Sequence, residues 1–154
     1  MKLWWINVAV WIGVIFFSST STASYWCESA FNYVSGIFMS GVPRDSTSYG
    51  AVHIVADKGL HVTLFAVLGV LLFRAMMDPR KKVARILLFG FVVGCCSEYL
   101  QSFFPDRDPA FRDVLINLGG TALGLLVSRM SWARSVAAGT ESSREYTFTS
   151  SDGH

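Results

Sequence analysis

Apolar positions fall into four long runs along the chain, separated by shorter polar stretches, and the run lengths predict helices that cross a membrane. The runs are LWWINVAVWIGVIFF at 3–17, GLHVTLFAVLGVLLFRAMM at 59–77, VARILLFGFVVGCCSEYLQSFF at 83–104 and DVLINLGGTALGLLVSRM at 113–130. A helix rises 1.5 Å per residue, so about 20 residues cross a hydrocarbon core. The last three runs reach that length. The first reaches it by adding Ser18 and Ser19, which gives spans at about 3–19, 59–77, 83–104 and 113–130. The expected fold is an all-α membrane protein: four transmembrane helices in a small antiparallel bundle, forming a domain over 1–130. The aromatic-rich stretch 25–42 between the first two runs is expected to hold an interfacial helix or an embedded loop. GVPRDSTSYG at 41–50 reads as a turn-rich connector, and the Ser/Thr/Glu-rich tail 131–154 as a disordered cytoplasmic end.

Composition agrees with that picture. Of 154 residues, 52% are apolar and only 16% charged, with a mean hydropathy of +0.42. A net charge of +2 is too small for a nucleic-acid surface, so the expected partner is the lipid bilayer and no nucleic acid. Basic residues set the orientation. Placing Lys2, Arg74, Arg80, Lys81, Lys82, Arg85, Arg129, Arg134 and Arg144 inside leaves Arg44, Lys58, Arg107 and Arg112 outside. Both termini are then cytoplasmic. Lys2, the first run and STA at 21–23 also fit a signal peptide loosely, but three tryptophans in the run argue against cleavage. Cys27, Cys95 and Cys96 have no paired spacing, so no disulfide framework or zinc motif is expected.

The polar residues inside the runs are the candidates for function, because ionisable groups are costly in lipid. Asp57, Lys58 and His61 open the second run, Glu98 and Gln101 lie near the end of the third, and Asp113 and Asn117 open the fourth. Arg107 sits in the link between the third and fourth. Under the four-span topology all of them lie toward one face, the extracytoplasmic one. Asp57 and His61 are four apart, Glu98 and Gln101 three, Asp113 and Asn117 four, so each pair shares a helical face. Three such faces at one depth are expected to turn inward on a common pocket. Each residue also has a purely structural use, such as a cap for Asp113 or a helix-to-helix hydrogen bond for Gln101 and Asn117. His53, Asp57, His61 and Glu98 lack a diagnostic ligand spacing, so no metal is expected. No P-loop, Rossmann glycine pattern or nucleophile elbow is present, and no cofactor is expected.

At these residues the chain resembles the VanZ-like family of small bacterial membrane proteins. FSSTS at 17–21 is similar to the family's serine pair, and DKGLH at 57–61 to its Asp-Lys-x-x-His. EYLQSFFPDRDPAFRDVLINLGG at 98–120 is similar to its Glu-x-x-Gln, Arg, Asp, Asn and glycine pair. PDRD departs from the family's more frequent Pro-Gly-Arg by adding Asp106 beside Arg107, and the first outer loop is long and aromatic. The resemblance implies a four-span protein of the bacterial cytoplasmic (inner) membrane and an envelope context. It also implies a link to glycopeptide tolerance, since the name-giving member lowers sensitivity to teicoplanin. It assigns no reaction.

Three functions are compatible with the residues. One is a pocket that binds or processes an envelope lipid or lipid-linked glycan. There Lys58 and Arg107 hold an anionic group, Asp57, Gln101, Asp113 and Asn117 bind alongside, and His61 and Glu98 form the acid/base pair. The second is a non-catalytic membrane scaffold whose polar cluster fixes helix register. The third is a small transporter or proton relay, which needs polar groups through the inner half of the spans; the second run below His61 is apolar as far as Arg74.

Overall fold

The computed structural model describes residues 2–39, 46–76, 82–105, 107 and 109–151, with side chains as far as Ser135 in the last helix. The basic residues Arg44, Arg80 and Lys81 and the departure at Asp106 lie outside the described residues. All described secondary structure is helical: α1 Lys2–Ser18, α2 Ser21–Phe38, α3 Thr47–Ala75, α4 Lys82–Gln101 and α5 Phe111–Ser151.

Three helical segments are long and apolar enough to cross a membrane: Thr47–Ala75, Val83–Gln101 and Phe111–Ser135. At 17 residues α1 qualifies only together with α2, and the two are bent by 76° at Ser19 and Thr20. The bend has a local cause. The hydroxyls of Ser18 and Ser19 donate back to the Ile15 carbonyl, and Thr20 caps α2 by accepting from the Ala23 amide. Such side-chain bonds compete with continuation of a helix and favour a new start.

Three polar segments carry regular helix. The stretch between the first two runs is mostly regular helix, because α2 extends through Phe38 and α3 begins at Thr47, twelve residues before the apolar run. Ser46 caps α3 by accepting from the Tyr49 amide, so the end of the expected turn-rich connector is a helix start. At the other end of the chain, α5 continues past Met130 to Ser151. Residues 131–151 contain no proline and a single glycine, so no backbone breaker stops the helix where apolar character ends.

Helix directions follow from the pairs of residues that meet. Arg74 lies over the Trp4 ring at 5.4 Å, and Trp11 donates to the Leu64 carbonyl at 2.8 Å, so α1 runs antiparallel to α3. Gly94 meets Asn117 and Val114 while Gly90 meets Thr121, which makes α4 antiparallel to α5. Lys58 meets Asp113, His61 meets Asn117 and Gly120 meets Val62, which makes α5 parallel to α3. That parallel pair is the tightest seam of the molecule. A Cβ on Gly120 would come within 2.6 Å of the Val62 carbonyl oxygen, and one on Gly124 would collide with that of Ala66. Only glycine lets the two backbones approach so closely.

The apolar core, with Val8, Ile15, Phe65, Leu68, Leu72, Ile86, Val93 and Leu125, fills the bundle from its middle toward the Trp4–Arg74 end. Outward-facing Leu3, Val10, Leu88, Val92, Leu115, Leu126 and Val127 remain exposed. A soluble bundle would hide such a surface; a lipid-facing one need not. Of the buried polar side chains, Ser19, Ser97, Glu98, Gln101, Asp113 and Asn117 collect at the opposite end of the bundle, while Thr121 and Ser128 lie deeper along α5.

Candidate functional site

At that polar end a cleft of about 630 Å³ opens between α2, the first half of α3 and the α4–α5 link. Each element contributes to it in a way its sequence dictates. Asp57, Lys58 and His61 lie on one face of α3, with His53 a turn earlier on the same face, and all four line the cleft. Gln101 is the last residue of α4, and Arg107 lies in the link that follows; Arg112 and Asp113 come from the first turn of α5.

The charges are arranged in pairs. Lys58 Nζ donates to Asp113 Oδ2 at 2.7 Å and lies 3.0 Å from Asp57 Oδ2. Asp113, whose side chain is only 4% exposed, thus faces an ammonium from the neighbouring helix, with Arg112 Nε 3.6 Å from its other oxygen. His61 Nδ1 and Asn117 Oδ1 are 3.0 Å apart one turn deeper, tying α3 to α5 a second time. Arg107 Nη2 donates to the Ser18 carbonyl at 2.5 Å, which joins the α4–α5 link to the end of α1. The hydroxyls of Ser19 and Ser97 meet at 2.8 Å between α1 and α4.

Not every candidate reaches the cleft. Asp57, Lys58, His61, Gln101, Arg107 and Asp113 line it; Glu98 and Asn117 stand behind the wall. Asn117 is fully buried and supports His61, while Glu98 Oε2 accepts from the Ala110 amide at 3.3 Å. Glu98 therefore organises the turn into α5. No hydrogen bond among the described residues joins it to His61, although the imidazole is near enough to act on its charge.

Several buried polar atoms here lack hydrogen-bond partners among the described residues: Glu98 Oε1, Gln101 Nε2, Arg107 Nε, Asp113 Oδ1 and Asn117 Nδ2. Buried polar groups are nearly always satisfied in native proteins, and each unsatisfied one costs about 1–3 kcal/mol. Gln101 Nε2 and Arg107 Nε are donors belonging to residues on the cleft wall. Among the described residues no three His, Cys, Asp or Glu side chains gather closely enough to hold a metal ion.

A family model described as VanZ/LLP1 matches residues 4–132 of the 154. The chain belongs to the VanZ/LLP1 family. The match takes in α1 to α4 and the apolar part of α5, and so every residue that lines the cleft. No curated protein and no solved structure matches the chain.

One wall of the cleft is absent from the sequence reading. Ser24, Cys27, Glu28 and Phe31 of α2 line it, at spacings of three, one and three that place them on one helical stripe. With Cys27 and Glu28 adjacent and Ser24 and Phe31 three residues to either side, the stripe is docked on α3 by its own contacts. Phe31 meets the rings of Tyr49 and His53 edge-on, at 5.6 and 4.9 Å between centroids. The Tyr49 hydroxyl donates to Asn32 Oδ1 and meets the Ser35 hydroxyl. The signal available in the sequence was that stripe, starting one turn after a Thr in N-cap position.

Proposed function

We propose that this VanZ/LLP1-family protein is a multi-pass protein of the bacterial cytoplasmic membrane. In this reading its cleft binds the anionic head group of an envelope lipid or lipid-linked glycan at the extracytoplasmic surface. α1 is the fourth span in this reading, both termini are cytoplasmic, and α2 lies in the interface with Tyr25, Trp26, Tyr33 and Phe38 exposed. Interfacial aromatics sit at head-group depth, which is also where a cleft opening beside α2 meets lipid. The observation that carries the reading is the pair of buried donors without partners among the described residues, Gln101 Nε2 and Arg107 Nε, on residues that line one cleft with the cationic side chain of Lys58. A phosphate or carboxylate oxygen satisfies both donors, and the planar guanidinium of Arg107 suits such an oxygen.

His61 is the residue in place for proton transfer, since it lines the cleft and its Nδ1 is held by Asn117. Glu98 stands behind the wall, so the proposal is binding first, with any acid/base step confined to His61. The teicoplanin association implied by the family belongs to the same proposal and is read by changed sensitivity in a strain lacking the gene. Transport is disfavoured by the apolar core of Phe65, Leu68, Leu72 and Val93 beyond His61, where the buried polar side chains among the described residues, Thr121 and Ser128, are not ionisable.

A structural reading has one specific observation in its favour. The Lys58–Asp113 and His61–Asn117 contacts both tie α3 to α5 and fix their register. The readings separate on Gln101 and Arg107. Lipid binding by the purified protein, compared between wild type and Gln101→Leu at equal melting temperature, supports the head-group reading if the variant binds less. Equal binding favours the scaffold.

A further inference from the structure

The guest's chemistry is narrowed by charges on the cleft wall that the proposed function does not use. The described charged residues lining it are Lys58, Arg107 and Arg112 on one side of the account and Glu28, Asp57 and Asp113 on the other. They cancel in number, so the cleft as a whole does not attract a bare multiply charged anion. They do not cancel in place. Lys58 is held between Asp57 and Asp113, and Arg112 lies beside Asp113. Two charges have no opposite partner among the described residues: Arg107, which donates only to a backbone carbonyl, and Glu28, which has no described hydrogen bond or ion pair.

These two stand at different parts of the cleft. Arg107 is anchored at Ser18, where α1 stops and α2 is about to begin. Glu28 lies seven residues into α2 from Ser21, about 10 Å along the helix axis. The helix dipole reinforces the separation, because the amide-rich start of α2 is the positive end and adjoins Arg107. The buried Gln101 donor lies on the same wall as Arg107. One turn beyond Glu28, Phe31 also lines the cleft. A carboxylate and an aromatic ring one turn apart make a site for a cation, through ion pairing and cation–π attraction.

We infer that the guest is zwitterionic: a phosphate ester whose phosphate is held by Arg107 and Gln101 and whose ammonium is held by Glu28 and Phe31. A phosphoethanolamine-type head group has that chemistry. This rests on the head-group reading above and specifies it, since a glycerol or simple sugar phosphate leaves Glu28 facing no cation. Glu28 is exposed and makes no described contact that holds the fold, so its replacement tests recognition rather than folding.

The experiment is native mass spectrometry of the full chain released from nanodiscs that contain equal phosphatidylethanolamine and phosphatidylglycerol. Wild type is expected to retain the ethanolamine lipid by about tenfold, the scale of one charge-assisted contact. Glu28→Gln is expected to bring the ratio to about one. Soluble phosphoethanolamine added to the same sample distinguishes the sources. Displacement of the lipid at comparable concentration makes the guest a soluble ester of the same chemistry; persistence of the lipid makes it the lipid itself. Either supports the inference. Equal retention of both lipids by wild type, or a preference that survives Glu28→Gln, overturns it while leaving the head-group reading standing. Retention of neither lipid overturns both.

Discussion

Arg107 and Ser18 are joined across 89 residues of chain, the guanidinium Nη2 donating to the carbonyl oxygen at 2.5 Å. The contact uses one corner of the guanidinium and leaves Nε buried without a described partner. A single side chain thus closes the bundle end and keeps a donor for something else. Arg107→Lys separates these tasks, because a lysine ammonium keeps the charge but not the fork. The expected result is a melting temperature close to wild type with phospholipid affinity lower by about tenfold, the loss of one charge-assisted hydrogen bond. Lipid titration monitored by tryptophan fluorescence measures it. Unchanged affinity would remove Nε from the site.

Lys58 and Asp113 carry the energetics of the α3–α5 seam at this end. Asp113 is nearly buried, so removing the ammonium strands a carboxylate, whereas removing both charges does not. Lys58→Met is expected to lower stability by about 3 kcal/mol, the lower end for breaking a buried pair, given the partial exposure of Lys58. The double variant Lys58→Met, Asp113→Leu is expected to recover most of it. Thermal melts of the four proteins in one detergent give the coupling.

Much of this was legible from spacing. Asp57 to His61 and Asp113 to Asn117 each span one helical turn, and a polar face in an apolar helix must turn toward protein. Spacing alone turns Lys58, His61, Asp113 and Asn117 toward one pocket; the pairing of Lys58 with Asp113 and of His61 with Asn117 comes from the packing of α3 on α5. Spacing does not resolve Glu98 from Gln101, which share a face of α4 at three residues' spacing. The turn after Gln101 decides between them: Glu98 is drawn to the Ala110 amide and Gln101 is left on the cleft. Nor was α2 legible as a wall. Ser24, Cys27, Glu28 and Phe31 form too mixed a stripe to stand out until Phe31 is seen against Tyr49 and His53. The early start of α3 was hidden because Gly50, His53 and Asp57 interrupt the apolar pattern that marks a span.

The glycine seam gives a test that leaves the cleft aside. A Cβ on Gly124 meets the backbone of Ala66, which cannot rotate away, while one on Gly119 meets nothing within 4 Å. Gly124→Ala is expected to cost about 1–3 kcal/mol, as overpacking does. Gly119→Ala is expected to be neutral or slightly stabilising through helix propensity. Melting curves of the two variants check the parallel α3–α5 packing directly.

Asn117 holds His61 from behind the wall, and the bond fixes one ring nitrogen. Replacing Asn117 with Leu removes the partner of Nδ1 at a fully buried position. A loss of about 1–3 kcal/mol is expected for the unsatisfied group. The imidazole nitrogen chemical shifts of His61 are expected to move toward a mixture of tautomers. Unchanged shifts would show that Asn117 does not set the tautomer.

The central claim, that the cleft holds a phosphate-bearing lipid head group, is tested most directly by native mass spectrometry of the protein extracted with its own membrane lipids. Wild type is expected to carry one phospholipid mass that survives detergent removal. Gln101→Leu combined with Arg107→Ala should release it, and Arg134→Ala, at an exposed position away from the cleft, should retain it. A bare wild-type mass, or the same adduct on all three proteins, would contradict the account.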